Sequence, residues 1–480
     1  MTYPERLFID GRWCDAADPG RLAVVSPTSE DVIAEVQIGG PADVHRATKA
    51  ASEAFRRGRW PELTADGRAD LLDRFALALT SRTEALTTTI AEEAGIPISL
   101  APIHVTRAIE FVSYYADLVR RTPMSQPRTA TSAKVTVGQQ PVGVVGAIGP
   151  WNIPLLGALS KIAPALAAGC TVVFKPSPET PLTALLMAEA AEHAELPPGV
   201  LNVVPATQAG SQALVADPLV AKVAFTGSTA TGRAIALACA QQLKPYALEL
   251  GGNAAAIVCD DIPVEVAGPG LVMTGLAVSN GEACVAQRRI LVPRARRDEI
   301  VAAICAVAST LPIGDPKQPG TVLGPMITDG HRKRVLDHIA DGQSQGAAVV
   351  HGGGSPLGLD RGYFVQPTVL VDVDNHMRIA REETFGPVVC VMTYDDINQA
   401  IAIANDTEYG LSASIWTADL SNADAIAPRL EAGSVYVNGS GDLDPNVPFG
   451  GVKQSGVGRE LGPEGLSEFM HSQSIFRPAS

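Results

Sequence analysis

Thr171-Val-Val-Phe-Lys-Pro-Ser-Pro-Glu-Thr-Pro181 decides the fold of this chain. Thr171–Phe174 is a short apolar run rich in β-branched residues, the pattern of a buried strand. The prolines between Lys175 and Pro181 end it, and the segment that continues through His193 reads as a helix. The unit then repeats. Leu201–Val204 is another strand, and Val223-Ala-Phe-Thr226 is a third, followed by Gly227-Ser228 and an alanine-rich helix to Gln242. Strand, turn and helix in succession imply a parallel sheet with crossover helices, an α/β fold. Ligands of such sheets sit beyond the carboxyl ends of the strands, so the turns after Phe174 and Phe225 are the places to look.

Working outward, Ala254–Val258 and Arg289–Val292 read as strands, and Asp298–Ser309 and His331–Gln343 as helices, which gives a second α/β unit in tandem. Before Arg120 the chain reads as mostly helical. Pro41-Ala-Asp43 opens an alanine-rich helix, and Leu71, Phe75 and Leu79, spaced by four, share one helix face. Arg120–Thr131 is polar, holds two prolines and reads as a connection; Lys134–Gly146 is valine-rich and reads as a strand.

The 480 residues, 46% hydrophobic and 18% charged, have an ordinary globular composition rather than a disordered one. A net charge of −14 offers no hold on phosphate backbones, so no nucleic-acid partner is expected. The most apolar runs, such as Val142–Ile148, are broken by glycine and fall far short of the ~20 residues of a membrane-spanning helix. Met1–Phe8 lacks the apolar core of a signal peptide, so a cytoplasmic protein with no membrane contact is expected. Cys14, Cys170, Cys239, Cys259, Cys284, Cys305 and Cys390 are odd in number and show no CxxC spacing, against both zinc ribbons and disulfide frameworks. The histidines form no HExxH, so no metal is expected.

Several segments can carry chemistry, each with a plainer alternative. Gly227-Ser-Thr-Ala-Thr-Gly232 has phosphate-loop spacing, but Arg233 stands where a P-loop needs lysine. It is either a helix N-terminus that receives a pyrophosphate or a simple tight turn. Cys284 follows a polar, Gly-containing segment and precedes Arg288 and Arg289; positive charge nearby favours a thiolate, although most lone cysteines are packing. Glu249, between Leu248 and Leu250, is either a desolvated general base or, slightly favoured, an outward-facing strand residue in water. Asn152, in Pro150-Trp-Asn-Ile-Pro154, is either a fixed amide donor or a loop residue. Lys175 meets a nucleotide or solvent, and Glu382-Glu-Thr-Phe-Gly-Pro387 holds ribose hydroxyls or ends a helix.

Taken together, PWNIP, KPSPETP, FTGSTATG, LELGGN, NGEAC, EETFGPV and PFGGVKQSG resemble, in order and spacing, the NAD(P)-dependent aldehyde dehydrogenase superfamily of the hydrolytic, non-acylating type. The likeness runs from Leu7-Phe-Ile-Asp-Gly-Arg-Trp13 to Gly456-Val-Gly-Arg-Glu-Leu-Gly462. The resemblance implies that Cys284 attacks the aldehyde, that the Asn152 amide and the Cys284 backbone N–H hold the oxyanion, and that Glu249 activates water against the thioester. It implies that Lys175 meets the adenine ribose, that Gly227, Ser228 and Gly232 border the pyrophosphate, that Glu383 holds the nicotinamide ribose and Phe385 packs near the ring. Trp151, Ser177 and Leu250 complete the cofactor set. Ile153, Gly157, Ser160, Leu443 and Phe449 stand at substrate-lining positions; the first four are smaller or less aromatic than in acetaldehyde-type members, implying a wider apolar tunnel for bulky aliphatic, terpenoid or aromatic aldehydes.

The chain departs from the family pattern in places. Pro178 occupies the position three residues after the lysine, where many NAD-preferring members carry glutamate, and Glu179 follows one later. NAD is the expected cofactor, with NADP left open. Pro205-Ala-Thr-Gln-Ala-Gly210 is one residue shorter than the usual Gly-rich stretch, Asn253 replaces a lysine, and Glu282 replaces a glutamine, an extra carboxylate expected to raise the Cys284 pKa. The resemblance also implies a Rossmann-like cofactor domain (1–121 and 142–250), an α/β catalytic domain (251–453), and a small β oligomerisation flap with the C-terminal segment (122–141 and 454–480). An edge strand near Ser472–Phe476 would pair subunits into a homodimer or homotetramer. The rival readings are a CoA-acylating relative, which commonly lacks the base, a non-catalytic relative, which tends to lose the nucleophile, and a cofactor-free thiol esterase.

Overall fold

A computed structural model describes residues 2–478 apart from 19, 132 and 442. The expected domain ranges take in the omitted positions too, and there they lie outside the described residues. The α/β expectation holds. One eight-stranded sheet runs in the order Gly456–Val457, Tyr246–Glu249, Val220–Thr226, Val144–Ile148, Thr171–Lys175, Leu201–Val203, Leu7–Ile9, Arg12–Cys14. Its five middle strands, from Tyr246–Glu249 to Leu201–Val203, are parallel. Such strands are covered on both faces, which is why they read as continuous apolar runs rather than alternating ones. From Val144–Ile148 the chain steps one way to Leu201–Val203 and later returns to the other side with Val220–Thr226. That reversal opens a crevice beyond the carboxyl ends.

The Pro154–Ala168 helix is buried along its whole length, packed between the sheet and the Ala101–Arg121 helix. Leu71, Phe75 and Leu79 are buried on one face of the Ala65–Thr80 helix, as their spacing predicts, and each such side chain contributes about 1.5–3 kcal/mol. A seven-stranded sheet follows in the order Ala348–His351, Thr368–Val371, Val388–Tyr394, Arg289–Pro293, Ala255–Val258, Ser412–Trp416, Ser434–Val437, parallel except at its first pair. The expected helices are present as Arg297–Ala308 and Asp329–Ser344.

Two local readings are corrected. Arg120–Thr131 is not a plain connection: the preceding helix ends at Arg121, and Ser125–Thr129 is an exposed strand. Its hydrogen bonds go to Ala133–Pro141, and Pro127 is tolerated because the strand lies at an edge. Lys134–Gly146 is not one strand but parts of two. Gly143, at φ 125°, turns the chain out of a three-stranded antiparallel sheet, which Met470–Pro478 completes, into the centre of the large one. The region before Arg120 also holds four short strands that its composition hides; Leu7–Ile9, for example, joins the sheet through the distant Leu201–Val203. Among the described residues no helix is long and apolar enough to cross a membrane, and no cluster of His, Cys, Asp or Glu is placed to hold a metal ion.

Candidate active site

Parallel register sets Lys175, Ile148, Phe225 and Leu248 level in one row, and Thr226 and Glu249 in the next row at the carboxyl edge of the large sheet, on the opposite face. Lys175 is buried there, not solvated; burial pushes its ammonium pKa down and Glu179 opposes the shift. The Ser177 hydroxyl donates to the Glu179 carboxylate. After Thr226, the Gly227 N–H donates to the Glu249 carbonyl at 3.0 Å, and Ser228 Oγ caps the Thr229–Ala240 helix by accepting from the Thr231 N–H. The opening N–H groups of a helix have no intrahelical partners and its dipole favours an anion. Arg233 turns away to Gln454. A Cβ at Gly232 would stand 2.5 Å from Leu250, so that glycine lets the helix lie against Leu250.

Cys284 is presented by a strained loop. Ser279 (φ 44°) and Asn280 (φ 60°) are left-handed, followed by Gly281 at φ 72°. Single left-handed residues of this kind cost about 1 kcal/mol or more and persist only where the surroundings impose them. Here Asn280 Nδ2 donates to the Gly95 carbonyl at 2.9 Å and the Pro325 carbonyl at 3.2 Å, and its Oδ1 accepts from the Gly324 N–H at 2.7 Å. A side chain at Gly281 would run into the backbone of Gly386 and Pro387. Arg288, 3% exposed, donates to the carbonyls of Gly281, Ala283 and Gly386, each at 2.9 Å. It therefore ties the Cys284 loop to the Glu382–Pro387 segment.

Arg288 does not make Cys284 a thiolate. Burial pushes the thiol up to about 12, Glu383 and Glu249 push the same way, and Arg288 opposes them weakly. The expected part of Glu282 is corrected: its carboxylate turns from the thiol to accept from the Ile327 N–H at 3.0 Å, near His331. The Glu282 carbonyl instead receives Asn152 Nδ2 at 2.7 Å, which fixes that amide beside the loop. Asn152 precedes the Pro154–Ala168 helix, and a Cβ at Gly157 would approach the Pro150 ring to 2.7 Å, so glycine there allows the tight entry.

Glu249 is 5% exposed, which corrects the outward-facing reading. The alternation of its strand does not reach solvent, because the sheet is covered on both sides. Burial and then Glu460 push its carboxyl well above the usual range, with Lys161 and Arg459 opposing. Lys161, itself buried, donates to Glu460 at 2.6 Å. Glu249 Oε2 has no hydrogen-bond partner among the described residues. Cys284, Glu249 and Asn152 all line one cavity of about 190 Å³. On the far side of the Cys284 loop, Trp151 meets Phe385 edge-on at 5.3 Å and His331 at 5.5 Å. The His331 Nε2–H donates to the Phe385 carbonyl at 2.7 Å, and Phe385 is itself left-handed at φ 53°. Glu383 Oε1 accepts from the Gly252 N–H at 3.0 Å; its carboxyl is pushed up to about 7 by burial, against Arg288.

The aldehyde dehydrogenase family model matches residues 13–475. Geranial dehydrogenase of Castellaniella defragrans is 43% identical over 98% of both chains. Chloroplastic betaine aldehyde dehydrogenase of Beta vulgaris is 37% identical over 99% of this chain and 97% of its own. The chain belongs to the aldehyde dehydrogenase family. Among solved structures, a Mycobacterium tuberculosis aldehyde dehydrogenase complexed with NAD+ superimposes with a TM-score of 0.96 at 42% identity, covering 99% of this chain and 98% of that one. A cysteine-to-alanine variant of aldehyde dehydrogenase C from Pseudomonas syringae, complexed with NAD+ and octanal, gives 0.96 at 39% identity over 100% and 98%.

In this aldehyde dehydrogenase the expected substrate-lining residues Ile153, Gly157, Ser160, Leu443 and Phe449 all face the cavity that holds Cys284. Sequence reasoning missed one wall, formed by Ile103, His104, Arg107 and Phe111. Ile103, Arg107 and Phe111 recur every four residues on the Ala101–Arg121 helix, a signal present in the sequence but read only as helical. Asn280 and His331 were missed as well, since their partners lie up to 185 residues away, and Arg288 was read only as a charge near the thiol.

Proposed function

We propose that this chain oxidises a bulky, uncharged apolar aldehyde to its carboxylic acid with NAD, through Cys284. The carrying observation is the cavity that joins Cys284, Glu249 and Asn152 to walls of Ile153, Leu156, Val285, Leu443 and Phe449. Burial keeps the thiol protonated until a base removes its proton, and Glu249, on the same cavity, is the acceptor. The sulfur then adds to the carbonyl carbon, and the oxyanion that forms is held by the Asn152 amide and the Cys284 N–H. One N–H of that amide is spent on the Glu282 carbonyl, which aims the other. Once Glu249 has passed the thiol's proton to solvent, it takes a proton from the water that hydrolyses the thioester; burial lifts its carboxyl above the usual range and so makes its carboxylate a stronger base.

The residues present fit a dinucleotide. Lys175 and Ser177 take the adenine ribose, the Gly227–Gly232 turn and capped helix start take the pyrophosphate beside Leu250, and Glu383 with Phe385 and Trp151 border the nicotinamide. When bound, NAD supplies the hydride acceptor. Glu179, bonded to Ser177, keeps a carboxylate at the ribose end, and this supports NAD over NADP. The presence of Glu249 supports hydrolysis over transfer to CoA.

Relatives named for geranial and for betaine aldehyde differ in the charge of the aldehyde. A quaternary ammonium is recognised by carboxylates or aromatic cages. The aromatic side chains among the described lining residues are Phe111 and Phe449, the Glu460 carboxylate is already paired with Lys161, and the open end, marked by Ile103 at 59% exposure, carries the Arg107 guanidinium. This supports apolar aldehydes and disfavours cationic ones. Seven free cysteines support a reducing, cytoplasmic setting. The fully exposed Ser125–Thr129 edge strand supports a homodimer or homotetramer, and a monomer by light scattering would remove that part.

The test follows NADH absorbance with NAD or NADP against acetaldehyde, octanal, geranial, benzaldehyde and betaine aldehyde, with and without CoA. NAD-linked oxidation of the apolar aldehydes without CoA, abolished in Cys284→Ala, is expected. A preference for betaine aldehyde, or a strict need for CoA, overturns the reading.

A further inference from the structure

The Ala101–Arg121 helix brings two polar side chains, His104 and Arg107, to the tunnel wall between the apolar Ile103 and Phe111. His104 Nδ1 is shut from solvent and has no hydrogen-bond partner among the described residues, although the ring lines the cavity. A buried polar atom left unpaired costs about 1–3 kcal/mol, so its retention on a binding wall asks for a ligand. Burial alone holds the ring neutral, its pKa pushed down to about 4. A neutral imidazole offers one donor and one acceptor. Arg107, one turn further along the same wall, adds N–H donors, and its charge is already answered by Glu110 at 2.9 Å.

We infer that His104, with Arg107 beside it, forms a distal subsite that hydrogen-bonds a hydroxyl carried by the aldehyde away from its reacting end. A hydroxyl both donates and accepts, so it satisfies either tautomer of the ring. A carboxylate only accepts, and it would share the cavity with the Glu460 carboxylate. An end group of either charge would disturb the Arg107–Glu110 pair, whereas a neutral hydroxyl would leave it intact. The substrate class is thus narrowed from apolar aldehydes to those with one neutral oxygen at the far end; this rests on the function proposed above.

The experiment compares kcat/KM for the straight-chain aldehydes from hexanal to decanal with their ω-hydroxy, ω-carboxy and ω-ammonio counterparts. At the chain length that spans the tunnel, the hydroxyl is expected to raise kcat/KM about tenfold, the size of one well-made hydrogen bond, and the charged groups to lower it. His104→Leu removes the hydroxyl preference, and His104→Gln, which keeps a donor and an acceptor, retains part of it. Good oxidation of the plain aldehydes with no hydroxyl effect at any length, or an effect unchanged in His104→Leu, overturns the subsite and leaves the dehydrogenase standing. If no aldehyde yields NADH, the proposed function falls. Calorimetry on Cys284→Ala with straight-chain diols against the matching alcohols then decides the subsite without turnover, and equal affinities overturn it.

Discussion

The carboxyl edge of the large sheet and the loop that carries Cys284 meet at one cavity but are held differently. At the edge, strand register sets Lys175 level with Ile148 and Phe225, and Thr226 level with Glu249 one residue further on, and the turn after Thr226 is capped by its own Ser228. The Cys284 loop has no regular ladder. Its left-handed Ser279–Gly281 backbone is imposed by Gly95, Gly324 and Pro325 through Asn280, and by Gly386 through Arg288. Rigidity from local regular structure suits a surface that must hold a long ligand in one register. Rigidity imposed from outside can store a conformation that the loop would not adopt alone, and so can aim a single sulfur.

The largest effect tests the sulfur itself. Cys284→Ala is expected to lower kcat by about 10⁴-fold or more, as loss of a covalent nucleophile does, with NAD binding retained on the sheet edge. Loss of both together, by steady-state kinetics and calorimetry, would mean that the two regions are not separately built. Next, Glu249→Gln should cost about 10²–10⁴ in kcat, with NADH formation slowed already in the first turnover, because both the thiol's deprotonation and the thioester's hydrolysis lose their base. The pH profile sharpens this. Glu249 works only when deprotonated, and burial raises its pKa, so activity falls as pH drops through a value well above the ordinary carboxylate range. That acid limb should vanish in the glutamine variant, and its persistence would assign the limb to another group.

The same contrast explains what the sequence disclosed. Strand, proline turn and helix at Thr171–His193 are set by neighbours in the chain, so the parallel sheet and the ends of its strands were legible. The charge state of Cys284 was not. Arg288 and Arg289 follow it closely in sequence, yet burial and the remote Glu383 outweigh Arg288. Glu282 misled for the same reason: two residues from the sulfur in the chain, it turns to Ile327 instead. Glu249 looked outward-facing because alternation is a signal for a sheet with one wet face, and this sheet has none.

Two substitutions compare the supports directly. Asn280→Ala removes an amide that serves two carbonyls and one N–H and leaves alanine in a left-handed conformation. A loss of about 3 kcal/mol in urea unfolding is expected, with kcat falling more than the KM for NAD. A stability change below ~1 kcal/mol would show that the loop holds its shape without outside support.

The smallest effect should come from Gly232→Ala on the sheet edge. The new Cβ would stand 2.5 Å from Leu250 Cδ2 and 2.8 Å from its Cδ1, atoms at the far end of a side chain that can swing. In a helix, alanine is favoured over glycine by about 1 kcal/mol, which offsets part of the crowding. Stability should therefore stay within about 1 kcal/mol of the parent, while Leu250, pushed toward the proposed cofactor cleft, raises the KM for NAD severalfold and leaves kcat nearly unchanged. A fall in kcat with KM unmoved would reverse the division of labour: the helix start would then be governing the reacting end of the site and not the grip on the dinucleotide.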